Sequence, residues 1–237
     1  VREFVIGMEA VAQMTWDFAS FDCDEYLGHW LTRELGAEAA AAASAVYRQH
    51  MEAYVKLGSN RFGGELLLID GITRILGNSL LDALTGTYQQ PAFRHGSWRE
   101  RFASGADLAA WVQRELPPAI SRWQAVLGAA HEALPAVAPS RRQFFTDHFI
   151  VQAEIMHGLY AWCLALAHAV AASEAGDADA RTRHLRDALF HMQKLLLDRR
   201  KAEHGAWQNW YRGDKKMNLP SIVARMKDML GNEGVKP

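Results

Sequence analysis

The sequence predicts an all-α protein: an antiparallel helical bundle with an ordered Gly- and aromatic-rich loop region in its middle. Three observations carry this expectation. From about Ser140 to Ser173, Phe144, Phe145, His148, Phe149, Gln152, Ile155, Met156, Leu159, Tyr160, Cys163, Leu166 and Val170 follow a helical apolar stripe. Beyond Gly176-Asp177 a second periodic segment runs from Ala178 to about Glu203, with Leu185, Leu189, Met192, Leu195 and Leu196 inward. So short a connection makes the two helices antiparallel neighbours.

The other elements follow in chain order. Val5-Ile6-Gly7-Met8 and Met14-Thr15-Trp16-Asp17-Phe18 fit a strand, a helix or the last piece of a preceding unit, so residues 1–20 are set apart from a bundle domain over 21–237. From Asp24, an acidic cap candidate, Tyr26, Leu27, Trp30, Leu31 and Leu35 recur at helical spacing until Gly36 stops them. Ala37 to Leu57 is rich in alanine, the best helix former, and Gly58-Ser59-Asn60 ends it. Phe62 to Leu84 is apolar and punctuated by glycine, and Thr85 to Gly105 combines Gly86, Pro91, Gly96 and Gly105 with aromatic residues, which favours an ordered loop. Asp107 to Glu115 and Pro118 to Leu134 suggest two helices, with Pro117-Pro118 as a break or a helix start. Pro220 opens a last short helix carrying Ile222, Val223, Met226, Met229 and Leu230.

Composition narrows the function classes. With 237 residues, 49% hydrophobic and 22% charged, the chain can bury a sizeable core. A net charge of −1 gives no general attraction to nucleic acid or to an anionic membrane. The apolar runs Leu66 to Ile69 and Leu159 to Val170 are too short, or too interrupted by Trp162, Cys163 and His168, to read as a clean membrane span. Cys23 and Cys163 are too far apart in sequence to be assigned as a disulfide, and the compartment stays open. Val1-Arg2-Glu3-Phe4 has neither an initiator methionine nor a basic signal-peptide region, so the chain is expected to begin inside a longer protein or after processing.

Candidate chemistry is sparse. Glu154 and His157, three residues apart on one helix face, are the alternative metal site, yet the second Glu-x-x-His of a di-iron bundle is missing and no cofactor is expected. Asp17, Asp22, Asp24 and Glu25 are explained by helix capping and a solvated face as readily as by acid–base work. There is no phosphate loop, nucleophile elbow or zinc-protease motif. The densest stretch is His204 to Pro220, where Trp207, Trp210 and Tyr211 offer flat apolar faces and Arg212, Asp214, Lys215 and Lys216 supply charge. Trp207, Trp210, Tyr211, Arg212, Asp214 and Lys215 are the candidate substrate-binding or rim residues, and a lid closing the bundle is the structural reading of the same stretch.

Several of these segments together resemble glycoside hydrolase family 115. Met14-Thr15-Trp16-Asp17-Phe18, then Asp24-Glu25-Tyr26-Leu27 through Trp30 to Leu35-Gly36, and later Tyr54 and Lys56, look like the passage from that family's catalytic barrel into its helical domain. Arg142-Gln143-Phe144-Phe145 through Gln152, Ala153 and Tyr160 to Ala167 resembles its long bundle helix, and Gly205-Ala206-Trp207-Gln208-Asn209 its Gly-Lys-Trp-Asn type motif. The stretch Trp210 to Lys216 departs from the His- and Tyr-containing run that usually follows. The resemblance implies a helical accessory domain C-terminal to a (β/α)8 barrel of a carbohydrate-active hydrolase, the family whose usual activity is xylan α-glucuronidase. Its partners would be the upstream catalytic barrel of the same parent protein and carbohydrate, with a homodimer contact left open. The catalytic carboxylates would lie in the barrel and none on this chain, and the location would be periplasmic or secreted.

Overall fold

Eight helices and one small hairpin make up the described residues, and the all-α bundle expected from the periodicity is the observed architecture. The computed structural model describes residues 3–16, 19–59, 64–91, 102–205, 208 and 218–233. At the centre lies the apolar stripe, here α6, which comprises a first turn Arg142–Phe145, a π-helical turn Thr146–Ile150 and a long run Val151–Glu174. Its apolar residues are not confined to one face, so it is covered on several sides, by α4 (Asp70–Leu84), α5 (Gly105–Ala133) and α7 (Ala178–Asp198). The segment Pro139–Glu174 is long and apolar enough to cross a membrane, unlike the shorter runs visible in the sequence. Its most apolar window is 61% buried inside the bundle, which is how a core helix satisfies the same test.

The α6–α7 hairpin forms as its spacing requires. Gly176 takes a positive φ of 72°, and Asp177 caps α7 by accepting from the Ala180 N–H at 2.9 Å. Gly158 packs against Leu195 and His168 against His184, so residue numbers rise on one helix as they fall on the other, and the pair is antiparallel. The final helix, α8 (Leu219–Glu233), starts beside Pro220, buries Ile222, Val223 and Met226 against α7, and ties to α4 through Arg225 and Asp82 at 2.8 Å.

Several boundaries differ from the sequence reading. The cap of α2 (Cys23–Leu35) is Asp22, whose carboxylate accepts from the Glu25 N–H; Asp24 lies in the first turn and pairs with Arg48 of α3 at 2.9 Å. The alanine-rich helix α3 (Ala37–Ala53) stops before Leu57, because Lys56–Ser59 (β1) pairs antiparallel with Glu65–Leu67 (β2). The buried Tyr160 hydroxyl fastens this hairpin to α6: it donates to the Leu68 carbonyl at 2.7 Å and accepts from the Val55 N–H at 3.3 Å. What looked like a glycine-punctuated stretch contains α4, whose Thr73, Leu76, Leu80 and Leu81 are buried. Residues 92–101 of the expected loop lie outside the described residues; at its ends, Tyr88 donates to the Phe102 carbonyl at 2.8 Å and Ser104 forms a reciprocal cap with Asp107.

Pro117-Pro118 does not break the chain, since α5 runs through both prolines. Leu108, Val112, Leu116, Ala119, Trp123, Val126 and Ala130 form one buried stripe across them, so both halves gain by staying in register. Pro118 and Arg114 are both exposed, so the Arg114 carbonyl that loses its helical donor can turn to water.

Candidate functional site

The π turn of α6 organises the most distinctive chemistry among the described residues. One wide turn brings two environments together: Phe145, Phe149 and Ile150 stay in the core, while Asp147, also buried, turns toward the end of α7. Such turns are rare and recur at functional positions.

On one side is a cavity of about 180 Å³ between α2, α3 and the π turn. Helix α2 supplies Trp30, α3 supplies Tyr47, His50 and Met51, and Tyr54 follows at the end of α3. The π turn closes it with His148 and Phe149. His148 stacks on Phe144 with ring centres 3.9 Å apart, and its Nδ1 lies 3.0 Å from the Phe144 carbonyl, to which a protonated Nδ1 donates. His50 meets the edge or face of Trp123 at 4.8 Å, and its Nε2 sits 3.2 Å from the Tyr54 hydroxyl. Burial holds His50 well below its ordinary value, at about 4, so it is a neutral imidazole at pH 7. Trp30 is 2% exposed and its Nε1–H has no hydrogen-bond partner. A buried unmet donor costs about 1–3 kcal/mol.

On the other side is a charged cluster joining α6 to the end of α7 and the 3₁₀ turn Arg199–Ala202. Asp147 accepts from Gln143 at 2.9 Å and faces His204 Nε2 at 2.8 Å. Lys201 bridges Glu154 and Asp198, and Lys194 also pairs with Asp198. Two buried carboxylates close together are tolerable because Lys201 reaches both. The Lys201 ammonium is accordingly pushed up, its desolvation being outweighed by its bonds to Glu154 and Asp198. The second Glu154 oxygen, Oε2, has no hydrogen-bond partner.

These placements decide what each expected site residue can do. Glu154 is committed to Lys201 through Oε1, whereas His157 is held below its ordinary value by burial and by His191 and Lys194. Among the described residues no group of three His, Cys, Asp or Glu side chains is arranged to hold a metal ion. Trp207, Trp210, Tyr211, Arg212, Asp214 and Lys215 lie outside the described residues. His204, where that stretch begins, is tied to Asp147, which anchors its start beside the π turn. The cavity itself was not visible in the sequence: Trp30 read as part of a helical apolar stripe, Tyr47 carried no signal of its own, and only the π turn, which has no periodicity signal, brings His148 and Phe149 to them.

A third feature is an apolar groove of about 470 Å³ between α1 (Glu3–Trp16), α2 and α3, walled by Val11, Met14, Leu27 and Met51 and carrying Cys23. Val11 is 54% exposed and Trp16 92% exposed, and α1 meets the rest of the fold chiefly along α2, through the Glu9–Arg33 ion pair at 2.6 Å. Compared with protein-family models, curated proteins and solved structures, the chain matches none of them.

Proposed function

We propose that this chain is the helical accessory domain of a carbohydrate-active glycoside hydrolase, docking against a catalytic barrel and shaping its substrate rim. The observation that carries the reading is the apolar face of α1 to α3: an exposed Trp16, an exposed Val11 and a groove of about 470 Å³ that a free-standing bundle has no reason to leave open. Two further features support it. The sequence segments that resemble family 115 include Trp16 and Tyr26, and Tyr26 lines this groove. The carboxylates of the charged cluster are engaged with Lys201, Gln143 and His204, which suits a positioning role better than acid–base turnover. In this reading the paired catalytic carboxylates belong to the barrel.

The test is activity and association. The purified chain is expected to leave acidic xylo-oligosaccharides intact and to bind a family 115 barrel supplied as a separate chain, with Trp16→Ala weakening the complex. Turnover by the isolated chain, or a barrel that ignores it, overturns the proposal.

A further inference from the structure

We infer that the groove between α1, α2 and α3 receives a basic amphipathic helix of the partner, its apolar stripe lying in the groove and its lysines or arginines meeting the carboxylates around it. The inference rests on the docking role proposed above for where the partner binds, and on the groove and its charges for the chemistry of what docks.

Shape comes first. Helices α1 and α3 both contact α2, and the groove of about 470 Å³ is the space left between them. A volume in the range of about 300–1,000 Å³ holds a ligand-sized body, here a few side chains of one element and not the element itself. The walls are mostly apolar and come from all three helices: Val11 and Met14 from α1, Tyr26 and Leu27 from α2, Tyr47 and Met51 from α3. Val11 and Met51 are both exposed, so the packing of the bundle does not use this face. An amphipathic helix offers apolar side chains at i, i+3 or i+4 and i+7 to such a groove.

Charge then decides what kind of helix fits. Between Glu9 and Ala53 the sequence carries eight aspartates and glutamates against two arginines and no lysine. Both arginines are already engaged, Arg33 with Glu9 and Glu34, and Arg48 with Asp24. Glu52 lines the groove, while Asp22 and Glu25 line an adjoining pocket of about 450 Å³ that shares Phe21 and Tyr26 with it. None of these three carboxylates has a cationic partner among the described residues. His29 lines the adjoining pocket too; protonated, it would offset one charge and leave the surface acidic. The N-terminus of α2 carries about half a positive charge, which Asp22, Asp24 and Glu25 outweigh. An acidic segment would therefore be repelled, as would the same face of a second copy, whereas lysines and arginines beside the apolar stripe would meet opposite charge. Trp16, in the wall of the adjoining pocket, adds an exposed aromatic face for a cation.

The experiment is fluorescence polarisation on the full chain with two labelled peptides of about fourteen residues, roughly four helical turns. One has leucine and lysine in amphipathic order, and the other has glutamate at every lysine. The leucine–lysine peptide is expected to bind, less tightly at high salt, while the leucine–glutamate peptide does not bind. Glu25→Lys and Glu52→Lys, both at exposed positions, are expected to weaken it about two- to fivefold each. Glu174→Lys, the same change of charge at the exposed end of α6, should leave it unchanged. Met51→Ser removes apolar wall without altering charge and should weaken it about tenfold, which attraction between charges alone would not produce. No binding of the leucine–lysine peptide, equal binding of both peptides, equal loss from Glu174→Lys or no loss from Met51→Ser overturns the inference. So does self-association of the chain that Met51→Ser removes, which would put a second copy in the groove. The peptides need no barrel, so a barrel that ignores the chain removes the accessory-domain reading and leaves this inference in place. A barrel that binds equally well at high salt and to the chain carrying Glu25→Lys and Glu52→Lys keeps that reading and overturns this inference.

Discussion

His50 shows how one side chain couples the cavity to stability. Its imidazole packs against Trp123 and lies beside the Tyr54 hydroxyl, and burial lowers its pKa from 6.5 to about 4. The unfolded chain therefore takes up a proton below pH 6.5 that the folded state refuses until about pH 4, and stability falls as pH falls through that window. A lowering of this size corresponds to about 3 kcal/mol. His157, His168 and His191 are also lowered by burial and act in the same direction. Thermal melts from pH 7 to pH 4 are expected to show a falling midpoint, and His50→Gln, which keeps a polar group near Tyr54, should flatten that slope measurably. An unchanged slope in the variant would place the pH dependence in the other histidines. Gly77 illustrates a residue whose role only packing discloses. A Cβ there would overlap the six-membered ring of Trp162, so the glycine that weakened any helical expectation for this stretch is what lets α4 lie close to α6.

At the level of elements, legibility followed periodicity. The α6–α7 hairpin, α2, the alanine-rich α3 and α8 were readable because their apolar residues recur at helical spacing between recognisable caps. Helix α4 was hidden by Gly71 and Gly77, and the β1–β2 hairpin by its brevity and by a fastening that comes from Tyr160, over ninety positions away. The doubled proline misled for the opposite reason: a strong local signal lost to a buried stripe that crosses it. Because Pro118 interrupts α5 at an exposed position, Pro118→Ala restores an N–H to the Arg114 carbonyl and relieves the ring clash. Allowing for the greater freedom it gives the unfolded chain, the change is expected to stabilise by about 1–2 kcal/mol, read as a higher urea midpoint with an unchanged slope. A lower midpoint would mean that α5 needs a proline at this position. No element signalled the π turn, so the aromatic cavity it completes could not be read in advance; of the tail stretch that begins at His204, the described residues place His204 itself against Asp147.

For the whole molecule, the bundle and α1 are unequal parts. Most of the core is formed by α2 through α8 around α6, whereas α1 rests on α2 and presents Val11 and Trp16 to solvent. Removing residues 1–19 is expected to leave a cooperatively folded bundle whose melting midpoint shifts by a few degrees at most, because none of the described side chains of α1, Glu9 to Trp16, belongs to the buried core. A collapse of cooperativity would show α1 to be integral. The same truncation should abolish association with a separately supplied barrel, since it strips the wall of the groove.

The two cysteines have opposite surroundings: Cys23 is exposed in that groove, while the fully buried Cys163 donates to the Thr73 carbonyl at 3.3 Å and burial pushes its thiol up. Thiol chemistry therefore addresses two events separately in the native sequence. A fluorophore placed on Cys23 would report occupancy of the groove by changes in its emission, and the slow labelling of Cys163 would clock how often the centre of the bundle opens.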